Sequence, residues 1–203
     1  MLKRFLSFAI LALTGLLCCG SATVWAKPLK VLASTFPIYQ ITRNLSQGVE
    51  GIEVNLMIPA GLGCPHDYAL TPQDMQKLVK ADVLIVNGLG LEEFLGAPLK
   101  KANARLRLID SSAGISEVLP YSAAEEHDHQ EPPHHSDADD HHGHNHDSGL
   151  NPHLFASPRM NARLALNIAA GLSKVDPEGA ALYARNAEAY AGTMNRLADD
   201  MAA

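Results

Sequence analysis

The sequence predicts an α/β fold in which a parallel four-stranded sheet is flanked by helices, with a disordered His/Asp-rich insert and then long C-terminal helices. Between residues 29 and 110, short apolar runs alternate with segments of helical periodicity. Short connections between such units are typical of a parallel sheet that is covered on both faces. Residues 121–149 contain almost no apolar side chains, which predicts disorder because they bury too little surface to offset their ordering entropy. Helical periodicity then returns from residue 150 to the end of the chain.

Residues 1–26 have the features of a secretory signal peptide. Two basic residues precede the apolar run FLSFAILALTGLLCC, and VWA then provides a small-residue cleavage site after Ala26. We favour a cleaved signal over a transmembrane anchor because the run is short and no stop-transfer charges follow it. Cys18 and Cys19 lack the preceding residues that lipid attachment usually needs, so we expect a periplasmic protein without membrane insertion rather than a lipoprotein. Only Cys64 then remains, which excludes an internal disulfide framework.

Residues 27–120 carry the four predicted strands and three of the predicted helices. In chain order, the strands are LKVLAST, EVNLMIP, DVLIVNG and RLRLID, and the helices between them are PIYQITRNLSQ, TPQDMQKLVKA and the broken segment LEEFLGAPLKKA. The second helix has the clearest start, because Thr71 is a candidate N-cap, Pro72 suits the first helical position and Asp74 stands three residues after the cap. In a sheet of this kind, ligands bind at the carboxyl ends of the strands.

Residues 150–175 complete this domain with a loop and a long helix, which starts at the candidate N-cap Ser157. The apolar face of that helix is formed by Leu164, Ile168 and Leu172. Residues 176–203 restart as a helix in which the apolar positions include Leu182, Ala189, Met194 and Leu197. This helix shows no stop signal, so we interpret it as a helix cut short and the chain as a fragment or a truncated reading frame.

The net charge is concentrated in residues 125–147, called here the histidine-rich segment. Removing Lys3 and Arg4 with the signal peptide leaves 14 basic residues against 22 acidic ones, and eight of those acids lie in this segment with no base. The rest of the mature chain is balanced, 14 against 14. Nucleic acids and anionic membranes require a basic face, so this distribution argues against both as partners and favours cations.

The histidine-rich segment also holds eight of the ten histidines, which are His127, His129, His134, His135, His141, His142, His144 and His146. Imidazoles mixed with carboxylates can bind divalent metal ions. Their spacing is irregular and no helix fixes it, so we expect weak binding and fast exchange. We interpret the segment as a metal-gathering loop, and the alternative is a solvated acidic linker.

His66 and His153 are the candidate ligands of a defined metal site. Each follows a proline, in CPHDYALTP and LNPHLFASP, and each lies in a loop where a parallel sheet places its ligands. The alternative is a loop histidine whose ring bonds a backbone carbonyl. Asp67 and Tyr68 could orient the His66 ring as hydrogen-bond partners, although a surface aspartate and a core tyrosine explain them equally well.

These segments resemble the solute-binding proteins of bacterial zinc and manganese ABC importers, the ZnuA-like or cluster A-I type. The resemblance is carried by LKVLASTFPIYQITRNLSQG, CPHDYALTPQDMQKLVKADVLIVNGLGLEEFL, the histidine-rich segment and LNPHLFASPRMN. It implies a metal-binding protein of two α/β lobes, of which this chain has the N-terminal lobe and, in residues 176–203, the start of the connecting helix. It also implies that His66 and His153 bind the metal directly and that the remaining ligands come from the second lobe.

We therefore expect a monomeric zinc-binding transport protein that delivers its ion to an ABC permease in the inner membrane, and not an enzyme. Zn²⁺ is favoured over Mn²⁺ or Fe²⁺ because neutral imidazole suits zinc, and because the resemblance implies that manganese-type members usually lack a histidine-rich loop. One alternative is a periplasmic zinc buffer or chaperone that acts through the histidine-rich segment. A zinc hydrolase would need a third ligand, a general base and an open coordination position, and the sequence contains no HExxH pair.

Overall fold

The structure is a computed structural model of the 203-residue chain, and it describes residues 27–62, 65, 68–118 and 150–203. The predicted signal peptide and the histidine-rich segment lie outside the described residues. The strands are β1 (Leu29–Ala33), β2 (Ile52–Leu56), β3 (Val83–Val86) and β4 (Arg107–Asp110). They form one sheet in the order β2-β1-β3-β4, and every pair is parallel. The predicted α/β fold with a parallel four-stranded sheet is confirmed.

Five helices surround the sheet in the described residues. They are α1 (Phe36–Leu45), α2 (Pro72–Lys80), α3 (Gly96–Ala102), α4 (Pro158–Val175) and α5 (Ala180–Ala202). Two 3-10 turns, Glu93–Leu95 and Leu154–Ala156, precede α3 and α4. The first of these turns runs directly into α3, so the segment predicted as a broken helix does change its helical form in the middle. In the parts of the chain that the structure describes, no helix is both long enough and apolar enough to cross a membrane.

The two faces of the sheet pack against different helices because successive side chains of a strand point to opposite sides. Val31 and Ile85 point to the face that is covered by α1, α4 and α5. Leu32 and Leu84 point to the other face, where Leu78 of α2 belongs to the same buried cluster. All four residues of β3 are buried, as expected for a central parallel strand.

The predicted starts of α2 and α4 are both present. Thr71 Oγ1 accepts a hydrogen bond from the backbone N–H of Asp74 at 3.2 Å, and Asp74 Oδ2 accepts one from the backbone N–H of Thr71 at 3.0 Å. The Ser157 side chain similarly accepts from the backbone N–H of Met160 at 3.5 Å. These local caps could be predicted because they depend on residues only three positions apart.

The buried face of helix α5 is not formed by the large aliphatic residues of its sequence. Its buried residues are Tyr183, Ala187 and Ala191, whereas Leu197 is 45% exposed. The buried positions recur every four residues, and two of them are alanines, which let α5 lie close to α4 along its length. Tyr183 is anchored at the start of this contact, where its hydroxyl donates to Asp176 Oδ2 at 2.7 Å.

Candidate metal site

The strand order places a crevice at the carboxyl ends of β1 and β3. The chain leaves β1 towards β2 on one side and returns to β3 on the other side, and ligands of open α/β sheets bind at such a reversal point. The loop after β1 begins with Ser34 and Thr35, and the loop after β3 begins with Asn87 and Gly88. These four residues therefore form the floor on which a site would be built.

A cavity of about 360 Å³ borders this floor at Thr35 and extends along the loop after β2, and we call it the loop cavity. Its lining is mostly apolar and comprises Thr35, Phe36, Pro37, Ile58, Pro59, Ala60, Leu62, Pro65, His153 and Phe155. Pro65 immediately precedes His66 in the sequence, so the two predicted histidine-bearing loops both reach this cavity. Thr35 is 5% exposed, and its Oγ1 has no hydrogen-bond partner within the described part of the chain.

The loop that carries His153 is tied to the end of β3. Asn87 is buried, and its Nδ2 donates to the carbonyl oxygen of Pro152 at 2.8 Å and to that of Gly88 at 3.1 Å. His153 then starts the 3-10 turn before α4. Its ring packs edge-on against Phe155, with the ring centroids 5.7 Å apart. The backbone before His153 is thus anchored by Asn87, and the imidazole ring itself is in contact with Phe155.

The His153 side chain also bonds to its own loop. Asn151 Oδ1 accepts a hydrogen bond from the His153 backbone N–H at 2.9 Å and lies 2.9 Å from Nδ1 of the ring. His153 makes a further interaction besides these two. The ring is therefore fixed in orientation by its immediate sequence neighbours.

A buried carboxylate bonds to three of the four floor residues. Glu92 Oε1 accepts from the Ser34 hydroxyl at 2.6 Å and from the Asn87 backbone N–H at 2.7 Å, and Oε2 accepts from the Gly88 N–H at 3.1 Å. Burial raises the pKa of Glu92 to about 7, although these three hydrogen bonds oppose the shift; the charge of Asp110 adds to it. Glu92 thereby joins the loops after β1 and β3.

Gly88 is required by the close approach of the loops after β3 and β4. Its φ is +88°, and a Cβ at this position would collide with the side chains of Asp110 and Ser112. The Asp110 carboxylate is in turn bonded to Ser112, whose backbone N–H and hydroxyl donate to Oδ1 at 2.9 and 2.7 Å. Only glycine fits this combination of positive φ and close contact.

The structure describes some of the predicted site residues and not others. His153 lines the loop cavity as a half-buried side chain. His66, Asp67 and the eight histidines of the histidine-rich segment lie outside the described residues, and their roles stay predictions. Tyr68 is described, and its hydroxyl donates to Asp74 Oδ2 at 2.6 Å.

The contact with Asp74 makes Tyr68 part of the α2 N-terminus. Burial, together with the hydrogen bond to Asp74 and the charge of that carboxylate, raises the pKa of Tyr68 to about 12. Burial also disfavours ionised Asp74, but hydrogen bonds from Thr71, Tyr68 and Lys77 outweigh it and lower the pKa of this carboxyl to about 2. An ionised Asp74 at the helix start is also favoured by the helix dipole.

The described residues alone do not complete a metal site. Within the ranges that the structure covers, no group of three or more His, Cys, Asp or Glu side chains could hold a metal ion. His153 contributes one imidazole, a ligand that suits Zn²⁺ and other borderline divalent ions. The remaining donors must come from residues outside the described ranges, because the lining around His153 is mostly apolar.

Sequence reasoning did not identify Asn87, Glu92 and Asn151 as residues that shape the site. Asn87 and Pro152 are 65 positions apart, so no local pattern shows that they touch. A partial signal existed for Asn87, since it is the first polar residue after the buried strand β3 and therefore lies at the ligand-binding edge of the sheet. Asn151 had a weaker signal, its position two residues before a candidate ligand.

Comparison with known proteins identifies a family model that matches residues 31–203, described as ZnuA, zinc-uptake complex component A, periplasmic. Three curated relatives illustrate the range of metals in the matches. The chain is 28% identical over 180 residues to the zinc-binding protein AdcA of Streptococcus pyogenes. It is 30% identical over 202 residues to the manganese ABC transporter substrate-binding lipoprotein ScaA of Streptococcus gordonii. It is 26% identical over 179 residues to the high-affinity zinc uptake system protein ZnuA of Bacillus subtilis.

Solved structures agree with the fold. The solute-binding protein FpvC of Pseudomonas aeruginosa in complex with Ni²⁺ is 26% identical, with a TM-score of 0.66 over 87% of this chain and 54% of that one. A crystal structure of ZnuA is also 26% identical, with a TM-score of 0.64 over 84% of this chain and 56% of that one. The matches to AdcA, ScaA and ZnuA cover 86, 96 and 88% of this chain but only 33, 58 and 52% of those proteins. The chain thus spans a third to somewhat over half of the length of these curated relatives.

Proposed function

Because the chain belongs to the ZnuA family of periplasmic metal-uptake proteins, we propose that it captures Zn²⁺ in the periplasm and delivers it to the permease of an ABC importer. The relatives named above are a zinc-binding protein, a substrate-binding lipoprotein of a manganese ABC transporter and a protein of a high-affinity zinc uptake system. A binding protein of this kind works by holding its ion and passing it on, and it catalyses no reaction.

The observation that carries this proposal is the loop cavity, which brings the two Pro-His loops together. His153 and Pro65 both line it, together with residues that follow the carboxyl ends of β1 and β2. His66 follows Pro65 directly in the sequence, and we propose that it and His153 each supply one imidazole to a shared ion. Two histidines are half of the four ligands that a closed zinc site needs, and we propose that the other donors come from a further part of the full-length protein.

Zinc is proposed over manganese because of the donor type and the lining of the cavity. Imidazole nitrogen suits Zn²⁺, whereas Mn²⁺ is better served by carboxylate, carbonyl and water oxygens. Within the described lining, the side chains other than His153 and Thr35 are apolar. The histidine-rich segment supports the same choice, since it would raise the local concentration of zinc near the cavity.

The proposal is tested by zinc titration calorimetry on the full-length mature protein, which includes the part proposed to supply the other donors, and on its His153→Ala and His66→Ala variants. All three are made in a background in which the eight histidines of the histidine-rich segment are replaced by serine, so that only the cavity can bind tightly. Each alanine variant should weaken zinc binding at least tenfold, which corresponds to about 1.4 kcal/mol. The parent should bind Mn²⁺ more weakly than Zn²⁺.

His134→Ala in the natural sequence is the matched control, because it removes one imidazole of the histidine-rich segment and leaves the cavity unchanged. It should leave the tightest zinc-binding event as it is. If the serine background abolishes zinc binding while His66→Ala and His153→Ala change nothing in the natural sequence, the protein is a zinc buffer that acts through the histidine-rich segment.

A further inference from the structure

We infer that Asn151 is a positioning residue that fixes the His153 imidazole as its Nδ1–H tautomer and so presents the lone pair of Nε2 to the metal. The part of this inference that concerns the metal rests on the proposed function. The tautomer itself follows from geometry that is independent of any bound ion.

The tautomer can be assigned because one oxygen meets two donors. The His153 backbone N–H points at the Asn151 side-chain atom at 2.9 Å, and a backbone N–H can only donate. That atom must therefore be the amide oxygen, since a flipped amide would place an NH₂ group against the N–H donor. The ring Nδ1 lies 2.9 Å from the same oxygen. Because the oxygen can only accept, Nδ1 carries the proton.

The surrounding contacts hold the backbone and the ring plane of His153, and the bond to Asn151 then selects the ring orientation. Pro152 is buried, and its carbonyl oxygen is held by Asn87 Nδ2 at 2.8 Å, which anchors the backbone just before His153. Phe155 meets the imidazole edge-on at a centroid distance of 5.7 Å and an interplanar angle of 77°. A flip of the ring about its Cβ–Cγ bond, which would turn Nδ1 away from Asn151, keeps this ring contact but breaks the bond between Nδ1 and Asn151 Oδ1.

A fixed tautomer improves a metal ligand in two ways. A neutral imidazole binds metal only through the nitrogen without a proton, so preselecting Nε2 removes the need for a tautomer change on binding. An acceptor on the opposite nitrogen also orients the ring and raises the basicity of the ligating nitrogen, and removing such an acceptor typically weakens metal binding 10- to 100-fold. Asn151 supplies this acceptor without adding a negative charge to an apolar cavity.

The test measures ¹⁵N imidazole chemical shifts and zinc affinity in the full-length mature protein, in the serine background described above. The parent, Asn151→Ala and Asn151→Asp are compared, because aspartate keeps the Oδ1 acceptor and alanine removes it. Without metal, the parent and Asn151→Asp should show a protonated Nδ1 at His153, whereas Asn151→Ala should show a shift towards the Nε2–H form. Zinc affinity should fall roughly 10- to 100-fold in Asn151→Ala and recover in Asn151→Asp.

Asn186→Ala is the matched control, since Asn186 Nδ2 also ties down loop backbone, bonding the carbonyl oxygens of Leu45 and Gln47 at 2.9 Å, but it does not line the cavity. It should change stability without changing the His153 tautomer or zinc affinity. An Nε2–H form in the metal-free parent, or zinc bound through Nδ1, would overturn the inference even if zinc binds tightly. A correct tautomer in a parent that fails to bind zinc would instead overturn the proposed function alone.

Discussion

Glu92 is the buried carboxylate on which the loops after β1 and β3 converge, and its ionisation carries a free-energy penalty. Burial raises its pKa to about 7 from an ordinary value of 4.5. A carboxyl whose pKa is raised in the folded state is favoured when protonated, so its contribution to stability is complete below pH 4.5. That contribution is lost progressively as the pH rises through 7.

Replacing Glu92 with glutamine should therefore reduce the dependence of stability on pH. Glutamine has nearly the same shape but no ionisable group, so the variant has no buried carboxyl whose ionisation costs free energy as the pH rises. The free energy of unfolding of the natural chain relative to Glu92→Gln should fall by roughly 2–3 kcal/mol between pH 5 and pH 8. Urea unfolding at each pH measures this difference directly.

The exposed neighbour Glu93 provides the control for this experiment, because Glu93→Gln removes a carboxylate of the same loop without changing the buried network. The Glu92 assignment is wrong if Glu92→Gln and Glu93→Gln give the same pH profile. The informative quantity is the change in stability with pH and not the absolute stability. Glu92→Gln would place an amide NH₂ against the Gly88 N–H donor, and the resulting loss of stability is the same at every pH.

At the level of secondary-structure elements, the contact between α4 and β4 depends on one glycine. A Cβ built at Gly171 of α4 would lie 2.6 Å from Cγ2 and 2.9 Å from Cδ1 of Ile109. Ile109 is the buried residue of β4 and is 7% exposed. The absence of a side chain at Gly171 therefore sets how closely the helix approaches the sheet.

Gly171→Ala should destabilise the protein even though alanine is the better helix former. Overpacking of this kind costs about 1–3 kcal/mol, which exceeds the gain of up to about 1 kcal/mol in helix propensity. Gly192 in α5 is the matched control, because a Cβ there would meet only Arg196 Nη1 at 3.6 Å. Gly192→Ala should be neutral or stabilising in urea unfolding, and equal effects at the two glycines would contradict the packing argument.

The sequence predicted those elements whose signals are local. The N-caps Thr71 and Ser157 are confirmed, and they could be predicted because each side chain accepts from a backbone N–H only three residues later. The buried faces of α1 and α4 follow their helical periodicity, as Ile38 and Ile168 show with no exposed surface. The inward face of α5 did not follow from the size of its apolar residues, since the distance to α4 selects alanine over leucine.

In the candidate site, too, the sequence predicted only the residue that has a local signal. His153 could be identified because it stands beside a proline in a loop of an α/β sheet, and the structure places it in the loop cavity. Its supporting residues could not, because the bond from Asn87 to Pro152 joins residues 65 positions apart. Sequence patterns specify which residue types are suitable ligands, whereas the contacts that orient them form only when the chain folds.

For the whole molecule, the distribution of charge distinguishes the histidine-rich segment from the rest of the chain. The histidine-rich segment has eight acids and no bases, whereas residues 27–124 and 148–203 together have 14 of each. The composition of residues 121–149 predicts a connection that does not pack against the folded domain. In the sequence it lies between Val118, which packs on the buried cluster at the α1, α4 and α5 face of the sheet, and the loop of His153. A segment of that kind should add metal-binding capacity to the molecule and no stability.

Deleting residues 125–147 tests this expectation, because it shortens the connection between residues 118 and 150 from 31 residues to eight. A flexible loop loses less entropy on closure when it is shorter, by about 0.6 kcal/mol for each halving, so the metal-free deletion variant should gain about 1 kcal/mol in urea unfolding. Calorimetry should show fewer zinc ions bound per chain, with the tightest event retained.

Replacing the eight histidines with serine provides the control for loop length, since it removes the imidazoles and keeps all 23 residues of the histidine-rich segment. This variant should lose the same weak zinc binding as the deletion but show no change in metal-free stability. A deletion variant that is less stable than the natural chain would mean that the segment packs against the folded domain. The segment would then contribute to the stability of the fold, and its role would not be limited to gathering metal ions.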